Sequence, residues 1–152
     1  MTHKTDQSRR VVATGTFDLL HPGHLWYLDE SAKLGTELFV IVARDENVRH
    51  KPKPIIPEQQ RVVMVGALKN VTQAVLGDQE DMMRPIEEIQ PDVITLGFNQ
   101  HFREDRLRET LAARGLSVEI VRIGEYQGSP FTSSRRIVQE IRNRAPPDSS
   151  SC

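Results

Sequence analysis

At 152 residues the chain is the length of one ordinary domain, and 38% hydrophobic with 27% charged residues mark it as globular rather than disordered. It has no run of about 18 apolar residues, which excludes a helical membrane span, and its opening stretch MTHKTDQSRR lacks the apolar core of a signal peptide, so a cytoplasmic protein is expected. The net charge of −1 (20 Lys and Arg against 21 Asp and Glu) gives no global pull toward nucleic acid or anionic lipid, and a single cysteine, Cys152, excludes an internal disulfide and a multi-cysteine zinc site.

In chain order, strands and helices alternate. Val11, Val12 and Ala13 predict a short buried strand over Arg10–Thr14. Pro22 suits a first helical turn, and a helix follows to Leu34, closed by Gly35, with Leu25, Leu28 and Ala32 on one face. The unbroken apolar run within Glu37–Ala43 predicts a strand covered on both faces. Arg44–Ile56, basic and carrying Pro52 and Pro54, reads as a loop, long enough to be functional. A helix over Pro57–Lys69, a weak strand over Val71–Leu76, a short helix over Met82–Gln90 and a strand over Val93–Leu96 come next. The last elements are a helix over Arg103–Arg114, a strand over Val118–Ile123 and a helix over Ser133–Arg144, with Ile137, Val138 and Ile141 on one face. The order predicts an α/β fold: a Rossmann-like, parallel five-stranded sheet with helices on both faces. Residues 1–144 are expected to form one domain, and 145–152 (APPDSSSC) a disordered tail. Ligands of such sheets bind beyond the carboxyl ends of the strands, so the loops there are where chemistry is sought.

The loop after the first strand reads Thr14-Gly15-Thr16-Phe17-Asp18-Leu19-Leu20-His21-Pro22-Gly23-His24. Histidines three apart at a helix start share a face, beside free N–H groups that attract anions. Gly23 removes a side chain where a phosphate can approach, and Gly15 allows a sharp turn. Two imidazoles and a helix N-terminus form a donor cluster for a phosphate gaining charge. Elsewhere such a pair would usually be a capped helix with surface histidines, and half a zinc site is the other reading. No neighbouring carboxylate or thiol set completes such a site.

Gly-Thr-Phe-Asp followed by His-Pro-Gly-His resembles the signature of the cytidylyltransferase-like nucleotidyltransferases, and the resemblance extends over about Arg10 to Asn143. It implies a Rossmann-like fold and transfer of a nucleotide monophosphate unit from a nucleoside triphosphate to a phosphorylated acceptor, with release of pyrophosphate. P-loop and dinucleotide-binding glycine patterns are absent.

The resemblance implies roles for further residues. Lysines of the loop after the second strand contact phosphates in that family, assisted by an arginine of the next helix; Lys51, Lys53 and Arg61 match by position, with Arg49 and His50 beside them. The family's hydroxyl segment at the last helix, which holds the outer phosphates, matches Thr132, Ser133 and Ser134, followed by Arg135 and Arg136. Gly97 allows a base to lie on the backbone, and Asn99 and Gln100 are candidate partners for base or ribose. Gly15, Thr16, Phe17, Asp18 and Gly23 complete the nucleotide-binding set, with Asp18 a candidate anchor for metal or ribose.

Within that superfamily the chain is similar to the archaeal-type FAD synthases. The similarity lies in Gly15–Asp18, in Ile41–Glu46, in Lys53–Arg61, in Leu96-Gly97 and in Ser133-Ser134. It implies ATP and FMN as substrates, a divalent metal such as Mg2+ and the scope for a homodimer. A catalytic set of His21, His24, Lys51, Lys53 and Arg61 follows, without protein ligands assigned to the metal. Some relatives carry a cysteine in the segment before the Ser133-Ser134 pair, where this chain has Ser129. Three alternatives stay open: a cytidylyltransferase for a small phosphorylated alcohol such as glycerol phosphate, a pantetheine-phosphate adenylyltransferase, and a non-catalytic nucleotide sensor. Relatives that use CTP often have an arginine a few residues before the hydroxyl segment, and Tyr126–Pro130 holds none, which counts against CTP.

Overall fold

The computed structural model describes residues 7–49, 51–128 and 130–145. Its elements are β1 (Arg10–Gly15), α1 (Pro22–Ala32), β2 (Glu37–Val42), α2 (Glu58–Gly66), β3 (Gln73–Leu76), α3 (Arg84–Ile89), β4 (Val93–Leu96), α4 (Glu104–Ala113), β5 (Glu119–Arg122) and α5 (Ser134–Arg144). The five strands form one parallel sheet in the order β3-β2-β1-β4-β5. This is the expected Rossmann-like architecture.

Strand alternation divides the core in two. Val12, Phe39, Ile41, Ile94 and Leu96 pack with Ile86 and Ile89 of α3 and Leu107 and Leu111 of α4. Val11, Ala13, Leu38, Val40, Val42 and Val93 face the other way, onto Leu28 of α1 and Val65 of α2. The apolar run of β2 therefore feeds both layers, which is why it shows no polar alternation. Removing one such side chain, as in Leu28→Ala, would cost about 2–5 kcal/mol.

Most expected elements are present with shifted ends. The helix expected over Pro57–Lys69 stops at Gly66, and β3 begins at Gln73 rather than Val71. The expected loop at 44–56 contains one turn of 3-10 helix, Asp45–Asn47. Gly115, at φ +78, ends α4 in the left-handed region that a side chain would resist, while Gln90 occupies that region after α3, just before Pro91.

One expected helix face is corrected. Leu25 is exposed, and the buried residues of α1 are Leu28 and Ser31. Ser31 can lie inside because its hydroxyl reaches Tyr27 O (2.7 Å) and Thr95 Oγ1 (2.7 Å). On the apolar face of α5, Ile137 and Val138 are half-buried and Ile141 is 59% exposed. Its first turn is tied down as well, by Ser134. The tail from 146 onward, His50 and Ser129 lie outside the described residues. No helix among the described residues is long and apolar enough to cross a membrane.

Candidate functional site

The chain leaves β1 for β2 on one side and β4 for β5 on the other, so the sheet switches direction between β1 and β4. Beyond the carboxyl ends of these two strands a crevice is expected. β1 stays paired with β4 as far as Ala13 opposite Thr95. There the Tyr27 phenol enters the gap, accepting from Thr14 N (3.2 Å) and donating to Thr95 O (2.8 Å). Burial pushes its pKa up to about 12, so it remains a neutral donor. One turn of chain further, Gln100 spans the same gap: its Oε1 accepts from Gly97 N, and its Nε2 donates to Thr14 O (3.0 Å).

The histidine motif closes on itself at the start of α1. His21 is the N-cap, extended at φ −146 and ψ 171. Gly23 N donates to Nδ1 of His21 (3.1 Å), and His21 N donates to Nδ1 of His24 (3.3 Å). This is a reciprocal cap built from two imidazoles where other helices use hydroxyl and carboxylate groups. The rings stack with centroids 3.7 Å apart, and Phe17 lies 5.3 Å from the His24 ring. Because each Nδ1 accepts a backbone N–H, each neutral ring carries its proton on Nε2. Burial first, then repulsion from His21 and Lys51, pushes the His24 pKa down to about 3. Burial also lowers that of His21. Near pH 7 the pair thus offers two neutral N–H donors at a helix N-terminus whose first turn holds no acidic residue.

Phe17 adopts φ +56, a strained conformation that lets its ring fold back over Gly15; a Cβ on Gly15 would lie 2.8 Å from a Phe17 ring carbon. Gly23 is required for a similar reason, since a Cβ there would come within 2.9 Å of Thr132 O. That contact sets the hydroxyl segment beside the histidine loop. Ser134 Oγ donates to Leu19 O (3.1 Å), a second tie, whereas Ser133 Oγ caps α5 by accepting from Arg136 N (3.2 Å). Thr132 is half-buried at the same junction.

The basic loop is tied to the histidine loop by two charged residues. Asp18 accepts from Ile55 N (2.9 Å) and Ile56 N (2.8 Å), one bond to each oxygen. This geometry makes Asp18 a loop anchor and leaves it less suited to hold a metal or ribose. Arg61 is 1% exposed and donates to Ile56 O, Thr16 O, Ala43 O and Asp45 Oδ1 at 2.6–2.8 Å. It binds three segments together from beneath the loop rather than standing free in it. Lys51 is exposed, and Lys53, also exposed, donates to Asp45 O (2.9 Å). Across the crevice Asn99 is exposed, while Gln100 points inward.

The structure therefore brings His21, His24, Gly23, Phe17, Thr132 and Ser134 together and fastens the loop of Lys51 and Lys53 to them. Sequence reasoning missed three contributors. Tyr27 lies one turn after His24, a spacing that was itself a signal. Asp45 pairs with Arg61 at 2.6 Å. Arg122, the last residue of β5, donates to Gly97 O, Gln100 O and Phe102 O and so shapes the turn after β4.

A parallel sheet with this histidine pair at its switch point defines a nucleotidyltransferase. The chain belongs to the cytidylyltransferase-like family, whose model matches residues 12–140. It is 68% identical over 132 residues to a protein named FAD synthase from Methanospirillum hungatei JF-1, covering 87% of this chain and 85% of that one. It is 68% identical over 133 residues to a FAD synthase from Methanosphaerula palustris, covering 88% and 87%. Among solved structures it is similar to a lipopolysaccharide core biosynthesis protein from Thermoplasma volcanium GSS1, with TM-score 0.76 and 47% identity over 79% of this chain and 99% of that one.

Proposed function

We propose that this enzyme is an FMN adenylyltransferase, which joins AMP from ATP to FMN to give FAD and pyrophosphate. One observation carries the reading: two Nε2–H donors are held at the N-terminus of α1, in a chain 68% identical to proteins named FAD synthase. A phosphate oxygen of FMN attacks the α-phosphorus of ATP in line. The new O–P bond forms as the bond to the β-phosphate oxygen breaks, and pyrophosphate carries away the electron pair. His21 and His24 donate to the α-phosphoryl oxygens as charge builds on them. Because they are neutral, they do so without transferring a proton. Lys51 and Lys53 neutralise the approaching and departing phosphates as mobile point charges. Thr132 and Ser134 face the outer phosphates, with Ser133 fixing the helix that carries them. Gly15, Thr16, Gly23 and Gly97 provide backbone surface for the nucleotide, and Asn99 provides a polar contact. Arg61 acts from below, through Thr16 and Ile56.

Among the described residues no group of three or more His, Cys, Asp or Glu side chains converges. The residues present therefore do not fit a protein-held metal cage. Mg2+ belongs to this reading as the partner of the ATP phosphates, entering with the nucleotide. The reading also takes the enzyme as cytoplasmic and as a homodimer; support for the dimer is the exposed apolar pair Val63 and Met64 on α2, and sedimentation would check it.

The test is pyrophosphate release from ATP or CTP against FMN, glycerol phosphate and phosphopantetheine, with Mg2+. Release with ATP and FMN alone, with FAD identified by chromatography, is the expected result. Release with another pair would replace the acceptor, and ATP binding without turnover in any combination would favour a sensor.

A further inference from the structure

The turn after β4 presents an aromatic ring that the fold does not use. Gln100 N donates to Gly97 O (3.2 Å), closing a turn whose two corner residues are Phe98 and Asn99. The ends of this turn are pinned from both sides. Gln100 Oε1 holds Gly97 N, Gln100 Nε2 holds Thr14 O, and Arg122 Nη1 donates to Gly97 O (2.8 Å) and Gln100 O (3.0 Å). These bonds fasten the ends of the turn to Thr14 of β1 and Arg122 of β5. Phe98 is 49% exposed and belongs to neither core cluster, whereas Phe102, four residues on, packs against one of them. A ring left 49% exposed contributes little burial to the fold, and it offers a flat surface to another ring.

Two flat rings would enter this crevice. Phe131, 38% exposed, directly precedes the Thr132–Ser134 segment and so lies on the triphosphate side by chain adjacency. Phe98 lies on a separate loop, the turn that follows β4. We infer that Phe98 is a specificity-determining residue that stacks on the isoalloxazine ring of FMN. The inference rests on the FMN reading and deepens it. The dimethylbenzene half of isoalloxazine carries no hydrogen-bonding group, so it gains most from an apolar plate. A small phosphorylated alcohol would gain nothing from Phe98.

The experiment measures FMN binding through quenching of flavin emission, and initial rates with each substrate varied, for wild type and for Phe98→Ala, Phe98→Leu and Phe98→Tyr. Loss of one stacked ring should weaken FMN binding and raise its KM about tenfold in Phe98→Ala. Phe98→Leu should fall between, and Phe98→Tyr should match wild type. The KM for ATP and the kcat at saturating FMN should stay within about twofold, and the melting temperature should not change. An unchanged FMN affinity in Phe98→Ala overturns the inference. A raised KM for ATP instead of FMN also overturns it, because the stacked ring would then be adenine. The binding readout needs no turnover. A wild-type protein that binds FMN through Phe98 but makes no FAD would refute the proposed reaction and leave the ring assignment standing.

Discussion

The backbone N–H of His21 donates to Nδ1 of His24 across 3.3 Å, so the two histidines of the motif are a helix cap and a donor pair at once. The cap fixes the tautomer, the tautomer puts both protons on Nε2, and burial keeps the rings neutral. Removing either ring therefore has two consequences of different size. His24→Ala should lower kcat by about 10²–10³, the usual loss of a well-placed transition-state donor. It should lower stability by only about 1 kcal/mol, the loss of a cap. Rapid-quench kinetics alongside urea unfolding separate the two. Full turnover in a folded His24→Ala protein would remove the histidine pair from the mechanism.

Stability should depend on pH through the same residue. The folded-state pKa of His24, about 3, lies below the ordinary histidine value of 6.5. Between these values the unfolded chain binds a proton that the folded chain does not. The contribution of neutral His24 is thus complete above about pH 6.5 and is lost as pH falls toward 3. At pH 5 the loss should be about 2 kcal/mol. Urea midpoints at pH 8, 6.5 and 5 should fall with pH in wild type and fall less in His24→Asn. Parallel curves would contradict the burial of this ring.

Asp18 bridges the histidine loop and the lysine loop through consecutive amides, Ile55 and Ile56, in a segment where Pro52, Pro54 and Pro57 donate nothing. Asp18→Asn replaces one accepting oxygen with a donor and should release one of these amides. Hydrogen exchange at Ile55 or Ile56 should accelerate more than tenfold. At the same time kcat should fall about tenfold, with the Mg2+ dependence of the rate unchanged. A variant whose main defect is a raised Mg2+ requirement would restore Asp18 as a metal anchor.

How much of this was legible in the sequence depends on the range over which each signal acts. The strands and helices announce themselves locally, through the apolar run of β2 or the proline and glycine that bracket α1. The histidine motif is also local, with capping and ligand presentation both contained in four residues. Arg61 was found by position, but its environment was not. A basic residue near a phosphate loop reads as a phosphate contact, and only the fold shows its guanidinium enclosed by Thr16, Ala43, Asp45 and Ile56. The face of α1 misled for a related reason. Periodicity shows that a helix has an apolar stripe, but what covers the stripe is set by distant chain, such as Thr95 for Ser31.

Arg61 accordingly behaves as an internal clamp with consequences for folding. Its charge is compensated by Asp45 at 2.6 Å and by three carbonyl oxygens, and its side chain is fully enclosed. Arg61→Met would remove the donor that reaches those carbonyls and leave Asp45 without its charged partner. The expected loss is about 3–5 kcal/mol, seen as a large fall in the urea midpoint. Arg61→Lys should recover little, because an ammonium cannot reproduce the fork that reaches all three segments. A lysine variant of wild-type stability with reduced affinity for ATP would show that the residue contacts phosphate directly.

Tyr27 holds the place where β1 and β4 part, and its hydroxyl serves both strands. Tyr27→Phe keeps the ring and removes the oxygen. Thr14 N–H and Thr95 C=O are then left facing a buried gap, at a cost of about 1–3 kcal/mol. For a chain of this length that corresponds to a melting temperature lower by roughly 3–9 °C. The effect on catalysis should be smaller than for either histidine, because Gln100 still ties Thr14 O to the turn after β4. The expected pattern is a clear loss of stability with kcat reduced less than tenfold. If kcat instead collapsed while the melting temperature held, the phenol would have to act on the substrate itself, which its donation to Thr95 O and its enclosure argue against.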